Sequence, residues 1–301
     1  MKILITGGMG FVGQQLSHFF LARGAQVVAV GLRPRQDIIS HENFRYISAD
    51  TTRKGAWLET LEDTTAVINL AGSTIFRPWT KRYKQSIYDS RILTTRTLVE
   101  GMSENKQAVL CSTSATGYYG DGGEEPLTET SPNGADFLAE VGRDWEAEAQ
   151  RAEKKGIRVV IARFGIVLGE KGGILGKMVP AFRYFLGGPL GSGRQWFPWI
   201  HVADLAAALG YLMENRGLQG IFNLCSPSPV RNRDFVRALA AVLNRPALMP
   251  APAFLIRLFM GELGSALLCS QRAMPQKLLQ SGFRFQFPDI EEALRNIVGP
   301  G

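Results

Sequence analysis

The sequence predicts an α/β protein, a Rossmann-type doubly wound parallel sheet carrying a smaller C-terminal substrate lobe, and three observations lead there. Short β-rich runs alternate with longer charged amphipathic stretches, as in a parallel sheet covered on both faces. The first run, residues 2–6, passes straight into Gly7-Gly8-Met9-Gly10-Phe11-Val12-Gly13: a strand, a glycine turn and a helix start, in that order. A connection over residues 115–135, rich in Gly, Glu, Thr and Pro, is too long for an ordinary crossover. It follows the carboxyl end of a strand, where open α/β sheets bind their ligands.

Taken in order, Gly7, Gly10 and Gly13 stand at G-x-x-G-x-x-G spacing. Glycine there permits a tight turn, close approach of backbone N–H groups to a pyrophosphate, and close packing of the next helix, whose positive end faces the phosphates. Phe11, Leu16, Phe19 and Phe20 mark that helix, and residues 26–30 close the unit as a second strand. No Asp or Glu follows this strand. It ends Val30-Gly31-Leu32-Arg33-Pro34-Arg35, which places a guanidinium where a 2′-phosphate pairs favourably. NADP is therefore expected in preference to NAD, with Arg33 as the selecting residue and Arg35 as the weaker candidate.

Further strands are expected over residues 44–48, 66–70, 108–111 and 159–162, and a long helical stretch over residues 81–105. After about residue 170 the alternation breaks into glycine- and proline-rich loops (Gly172-Gly173, Gly187-Gly188-Pro189, Gly191-Ser192-Gly193) between short helices. The expected division is an NADP-binding core over residues 1–170, with returning segments near 195–225, and a mixed α/β lobe over residues 171–301 that closes over the cofactor. Residues 288–298 read as a final amphipathic helix.

Composition narrows the partners. The net charge is +7, but the 34 Lys and Arg are dispersed, so an anionic small ligand accounts for them and nucleic acid is not expected. Cys111, Cys225 and Cys269 are widely spaced without a C-x-x-C, which predicts reduced packing residues and neither a disulfide framework nor a metal site. No apolar run approaches the ~20 residues of a membrane span, and the first strand begins at once with no leader pattern. A cytoplasmic protein with no membrane partner is the expectation; the oligomeric state is not legible.

From the glycine loop through Asn69-Leu70-Ala71-Gly72, residues 112–120 (STSATGYYG) and Arg163-Phe164-Gly165-Ile166-Val167-Leu168-Gly169, the sequence resembles the extended short-chain dehydrogenases/reductases. More narrowly, Asp144-Trp145-Glu146, Gly187-Gly188-Pro189-Leu190-Gly191-Ser192-Gly193 and Pro198-Trp199-Ile200-His201 are similar to blocks of the bacterial YfcH-type "epimerase family" proteins. That family is an atypical branch with a C-terminal segment of unknown function, corresponding here to residues 247–298. The resemblance implies that Gly7, Gly10, Phe11, Val12 and Gly13 meet the pyrophosphate and that Leu32 and Arg33 meet the adenosine end. It implies that Leu70, Ala71 and Gly72 line the cofactor, that Arg91 reaches it from below, and that Val167 lies near the nicotinamide.

The parent superfamily's chemistry uses a Tyr, a Lys four residues later and a Ser or Thr, a general acid–base set beside a hydride carrier. None of the seven tyrosines has Lys at the fourth following position, and the aligned Tyr and Lys places fall near Leu138 and Gly142. The resemblance leaves the hydroxyl: Ser114 at the end of the fifth strand, with Ser112 behind it. Tyr119 or Tyr118 could supply a substitute acid. His201 follows an aromatic cluster and has two readings, a titratable pocket residue or a structural histidine ahead of a helix with Asp204 in its first turn. Two functions fit. One is an NADP-dependent oxidoreductase or epimerase acting on a small molecule. The other is an NADPH-binding, catalytically idle sensor or regulator that takes a small-molecule effector, a role that relatives described as cell-division factors suggest.

Overall fold

The computed structural model describes residues 1–34, 39–104, 108–170 and 172–299. β1 (Lys2–Thr6) runs through the glycine turn into α1 (Phe11–Leu21), then β2 (Gln26–Gly31), β3 (Phe44–Ser48) and β4 (Ala66–Asn69). α2 (Lys81–Gly101) starts on Thr80, whose side chain accepts a hydrogen bond from the Tyr83 N–H at 3.1 Å. β5 (Val109–Ala115) leads through a 3₁₀ turn at Thr116–Tyr119 to β6 (Pro126–Leu127) and α3 (Phe137–Gln150). Asp136 caps α3 by accepting from the Ala139 N–H at 2.9 Å. Next come β7 (Arg158–Phe164), β8 (Ile166–Leu168), α4 (Leu175–Arg183), β9 (Trp196–Phe197), β10 (Trp199–His201), α5 (Val202–Glu214) and β11 (Gly220–Leu224). The chain ends with β12 (Val230–Arg231), α6 (Asn232–Leu243), α7 (Ala253–Leu267), β13 (Arg272–Ala273), α8 (Gln276–Gln280) and α9 (Ile290–Val298).

Among the described residues seven strands form one sheet in the order β3-β2-β1-β4-β5-β7-β11, every neighbouring pair parallel. Period-two alternation sorts each strand between two layers. Ile3 and Ile5 of β1 and Val109 and Cys111 of β5 face α1 and α5, packing with Leu16, Phe20, Leu205 and Leu209. Leu4, Val67, Leu110 and Ile161 face the other way, against Leu98 of α2 and Ala149 of α3. The strand order reverses between β1 and β4, which opens a crevice at their carboxyl ends, the usual binding place in such sheets. A third core, with Phe182, Trp199, Phe235 and Leu294, belongs to the C-terminal part and holds α4, α6 and α9 together.

β5 runs four residues past the expected stretch, to Ala115, and β7 extends over 158–164 rather than 159–162. In each case polar residues (Ser112, Ser114, Arg163) continue a buried strand because other buried polar groups pair with them. After residue 170 the chain re-enters the main sheet. β10 pairs in parallel with β8, α5 packs on α1, and β11 forms the sheet's edge beside β7. The sequence signal for β11 is weak because Asn223, the fourth of its five residues, is polar, yet it is fully buried.

Candidate functional site

The glycine turn is built by close backbone approach. Gly7 adopts φ +67°, and a Cβ there would lie 3.0 Å from the Ala71 nitrogen. Gly13 serves the helix-packing part of the motif: a Cβ on it would fall 2.6 Å from the Gly7 carbonyl oxygen, so it lets α1 pack onto the turn. Gly10 is exposed, and its Cβ would meet only the Gly7 oxygen at 3.1 Å. It is the N-cap of α1, it brings no capping side chain, and no acid occupies the first turn. The first N–H groups of α1 are thus open and carry the helix's positive end. Val12 packs into the α1/α5 core, whereas Phe11 borders a cavity.

That turn separates two cavities. The first, about 300 Å³, takes in Gly7, Gly10, Leu32, Arg33, Leu70, Ala71 and Gly72, all expected on the cofactor. It also takes in Tyr46, Asp50, Ser73 and Thr94, which the sequence did not single out. Tyr46 donates its hydroxyl to the Arg33 carbonyl (2.6 Å) and the Gly31 carbonyl (2.9 Å), which fixes the loop bearing Leu32 and Arg33; burial raises its pKa. Arg33 is exposed with its side chain at the cavity. Arg35 lies outside the described residues.

Arg91 stands beneath this cavity rather than in its wall. It donates Nη1 to the carbonyls of Ser73 (3.1 Å) and Ile87 (3.0 Å), and its guanidinium carbon is 5.2 Å from the Trp145 ring centroid. Gly72 makes room for it, since a Cβ there would sit 3.0 Å from Arg91 Cζ. Burial lowers the Arg91 pKa to about 10, which leaves it charged at neutral pH. No carboxylate pairs with it among the described residues, so a positive charge remains under the crevice.

The second cavity, about 320 Å³, begins at Phe11 and Val167 and is mostly apolar: Ile75, Phe76, Leu138, Trp196, Phe197, Leu263 and Leu267 contribute. Ala115, Thr116, Gln195, Asn232 and Gln271 also line it, and among the described lining residues there is no Lys, Arg, Asp or Glu. Leu138 stands at the wall where the superfamily's tyrosine was aligned. Gly142, the aligned lysine place, packs instead on Tyr118: a Cβ there would lie 3.4 Å from it.

The expected hydroxyls are not in this cavity, and the reason is strand phase. Ala115 faces the pocket, so Ser114 and Ser112, one and three positions earlier, face the α2/α3 layer. Ser114 is fully buried and donates to Glu146 Oε1 at 2.6 Å. Glu146 is held by Arg163 through two hydrogen bonds of 2.8 Å, and Arg163 Nη1 donates to the Tyr119 hydroxyl at 2.9 Å. Tyr119 in turn donates to Asn223 Oδ1 at 2.7 Å, and burial pushes its pKa up to about 12. Arg163 also lies 3.4 Å from the Tyr118 ring centroid. Ser112 accepts from Asn69 Nδ2 at 3.3 Å. Ser114, Ser112 and Tyr119 are therefore corrected from pocket groups to members of buried networks. The hydroxyl the pocket does hold belongs to Thr116, which has no side-chain hydrogen bond among the described residues.

His201 takes the structural reading. Its Nδ1 accepts from the Ala203 N–H at 3.1 Å as the N-cap of α5, which leaves the proton on Nε2 to meet Asn296 Oδ1 at 3.1 Å. Its ring lies 4.0 Å from that of Phe287, and burial lowers its pKa to about 4. Asp204 is buried and accepts the N–H groups of Gln286 (2.7 Å) and Phe287 (2.9 Å). Cys111 and Cys225 are buried, Cys269 is half-buried, and all three are free; among the described residues no His, Cys, Asp and Glu cluster could hold a metal.

Sheet order, glycine turn and crevice together define a Rossmann-type nucleotide-binding protein. The chain belongs to the NAD dependent epimerase/dehydratase family, which matches residues 3–225. Residues 251–297 match a domain of unknown function (DUF1731). Among curated proteins it is 38% identical to the epimerase family protein YfhF of Bacillus subtilis over 99% of this chain and 98% of the relative. It is 36% identical to the chloroplastic epimerase family protein SDR39U1 homolog of Arabidopsis thaliana, over 99% of this chain and 87% of the relative. Among solved structures, human epimerase family protein SDR39U1 with NADPH superposes with a TM-score of 0.87 at 31% identity, covering 99% of both chains. A nucleoside-diphosphate sugar epimerase from Corynebacterium glutamicum superposes with a TM-score of 0.79 at 30% identity, covering 99% of this chain and 58% of that one.

Proposed function

We propose that this protein is an NADP(H)-dependent oxidoreductase acting on a small, uncharged, largely apolar molecule. The observation that carries the reading is the pair of cavities on either side of Gly10 and Phe11, one glycine-walled with Arg33 at its outer end, the other apolar and bordered by Val167. The crystallised human relative holding NADPH supports the choice of cofactor. Gly7, Gly10 and the open N–H groups at the start of α1 suit a pyrophosphate, Arg33 suits a 2′-phosphate, and the charge of Arg91 offsets the anion from below. Bound there, the cofactor supplies a hydride donor or acceptor.

Substrate class follows from the second cavity. Its lining carries no cation among the described residues, so a nucleoside diphosphate finds no partner there, whereas a small apolar carbonyl compound or alcohol does. The Thr116 hydroxyl hydrogen-bonds the reacting oxygen. Leu138 has no proton to exchange, so water at the pocket mouth carries it. One observation favours a second reading, a non-catalytic NADPH-binding receptor: among the described lining residues the titratable side chain is Cys269, whose thiol burial pushes up to about 11.

A single assay separates them. NADPH consumption is followed with a panel of apolar ketones, apolar aldehydes and nucleotide sugars. Turnover of an apolar carbonyl compound supports the oxidoreductase; ligand-enhanced NADPH binding without turnover supports the receptor; turnover confined to nucleotide sugars overturns the substrate class.

A further inference from the structure

One face of the C-terminal part leaves large apolar side chains in water. Tyr184 (77% exposed), Phe185 and Leu186 follow α4, and Phe254, Leu258 (72%) and Phe259 (80%) project from the first half of α7. Backbone hydrogen bonds hold the two segments side by side, from the Met249 N–H to the Gly187 carbonyl at 3.1 Å and from the Ala251 N–H to the Pro189 carbonyl at 3.0 Å. α7 is broken at Gly261, where φ is +55°, and Gly264 packs the second half back onto the Ile256 carbonyl. The second half turns Leu263 and Leu267 into the apolar cavity. The first half is left facing outward.

Phe185 shows that this exposure has a cost. At the end of α4 the Leu186 N–H donates to the Ala181 carbonyl and the Phe185 N–H to the Phe182 carbonyl, both at 2.9 Å, which is the Schellman arrangement. Its left-handed position is normally glycine, but here φ of +61° is imposed on a phenylalanine whose ring is more than half exposed. A bulky residue in that conformation is strained, and a ring more than half in water recovers little by packing.

Charge identifies what covers the face. Residues 174–191 and 244–260, which form it, contain Arg183, Arg245 and Arg257, together with Lys177, whose ammonium lies 5.9 Å from the Phe76 ring centroid at the cavity, and no acidic residue. The Arg245 guanidinium carbon lies 5.3 Å from the Phe185 ring centroid, and the next acid along the chain, Glu262, is paired with Lys84 at 2.6 Å. A symmetric contact with a second copy would set these cations against one another. Apolar side chains set among cations, with no acid in the two segments that form the face, match an anionic lipid surface. We infer that this face docks the protein on an anionic bilayer, with Phe185, Phe254, Leu258 and Phe259 entering the interfacial layer and Arg183, Arg245 and Arg257 meeting head groups. No helix among the described residues is long and apolar enough to cross a membrane, so the contact is peripheral. The composition-based expectation of no membrane partner addressed spanning segments; it did not see a face assembled from two separated stretches.

The test is co-sedimentation of the full chain with vesicles of phosphatidylcholine, with and without phosphatidylglycerol. Binding is expected only to the anionic vesicles and to weaken as salt rises. Phe254→Ser/Leu258→Ser/Phe259→Ser should lower partitioning at least about tenfold, and Arg183→Gln and Arg257→Gln about fivefold each. Phe185→Gly should raise the melting temperature while lowering partitioning, a combination that a folding defect cannot produce. Native protein that stays in the supernatant overturns the inference, as does partitioning that these substitutions leave unchanged. A dimer abolished by the triple substitution, or capture of an acidic peptide, in protein that ignores vesicles would assign the face to a protein partner instead.

Discussion

Ser114 is one residue away from where the superfamily's chemistry would need it, and a β-strand turns one residue into the opposite face of the sheet. Its hydroxyl donates to Glu146 inside a network closed by Arg163. Ser114→Ala should therefore cost about 1–3 kcal/mol of stability, measured by denaturant unfolding, while leaving turnover unchanged. Thr116→Val should do the reverse, lowering kcat about 10²-fold with NADPH affinity retained. If Ser114→Ala lowers kcat instead, the pocket geometry given above is wrong. Arg33 offers a second test at this scale: Arg33→Asp should invert the preference between NADPH and NADH in fluorescence titrations, because a carboxylate suits the ribose hydroxyl and repels a 2′-phosphate. Equal affinities in the native protein would remove Arg33 from the site.

At the scale of the element, the turn from β1 into α1 assigns separate duties to glycines that look equivalent in the motif. At Gly10 a Cβ would meet only the Gly7 carbonyl oxygen, at 3.1 Å, so Gly10→Val should abolish dinucleotide binding and leave the circular dichroism and melting temperature near native. Gly13 has the Gly7 and Gly8 backbone within 2.6 Å of a Cβ, so Gly13→Ala should destabilise the fold itself. Thermal melts beside binding titrations separate the two outcomes; equal destabilisation would mean that the helix does not seat on the turn as described. The spacing of these glycines, the run of β-formers before them and the arginine after β2 were legible because each is a local signal. β11 was not, because its fourth residue, Asn223, is polar and becomes buried only by binding Tyr119 and the Leu127 and Met274 carbonyls from distant parts of the chain.

For the whole molecule, the C-terminal segment is tied to the sheet through polar groups on α5. His201 meets Asn296 of α9, and Asp204 accepts the backbone of Gln286 and Phe287. With a native pKa of about 4 against an ordinary 6.5, His201 binds a proton more readily in the unfolded chain. Stability is therefore full above about pH 6.5 and falls as pH drops toward 4, by up to about 3 kcal/mol. Asp204, its pKa raised by burial, acts in the opposite sense, favouring the native state once pH falls through that raised value. His201→Asn can still cap α5, so its melting temperature should change less between pH 7 and pH 5 than that of the native protein. The same slope in both would assign the acid sensitivity elsewhere.

The sequence by itself determined the fold class, the dinucleotide turn, the loss of the Tyr–Lys pair and the arginine beside β2, since these depend on periodicity and on spacing within a few residues. Tertiary structure decided which hydroxyl meets the pocket, where Arg91 stands, and which hydrophobic residues after residue 170 are core and which are surface. Those outcomes depend on strand phase and on contacts between residues tens of positions apart, and in a close-packed interior a side chain's surroundings come from whichever elements the topology brings against it.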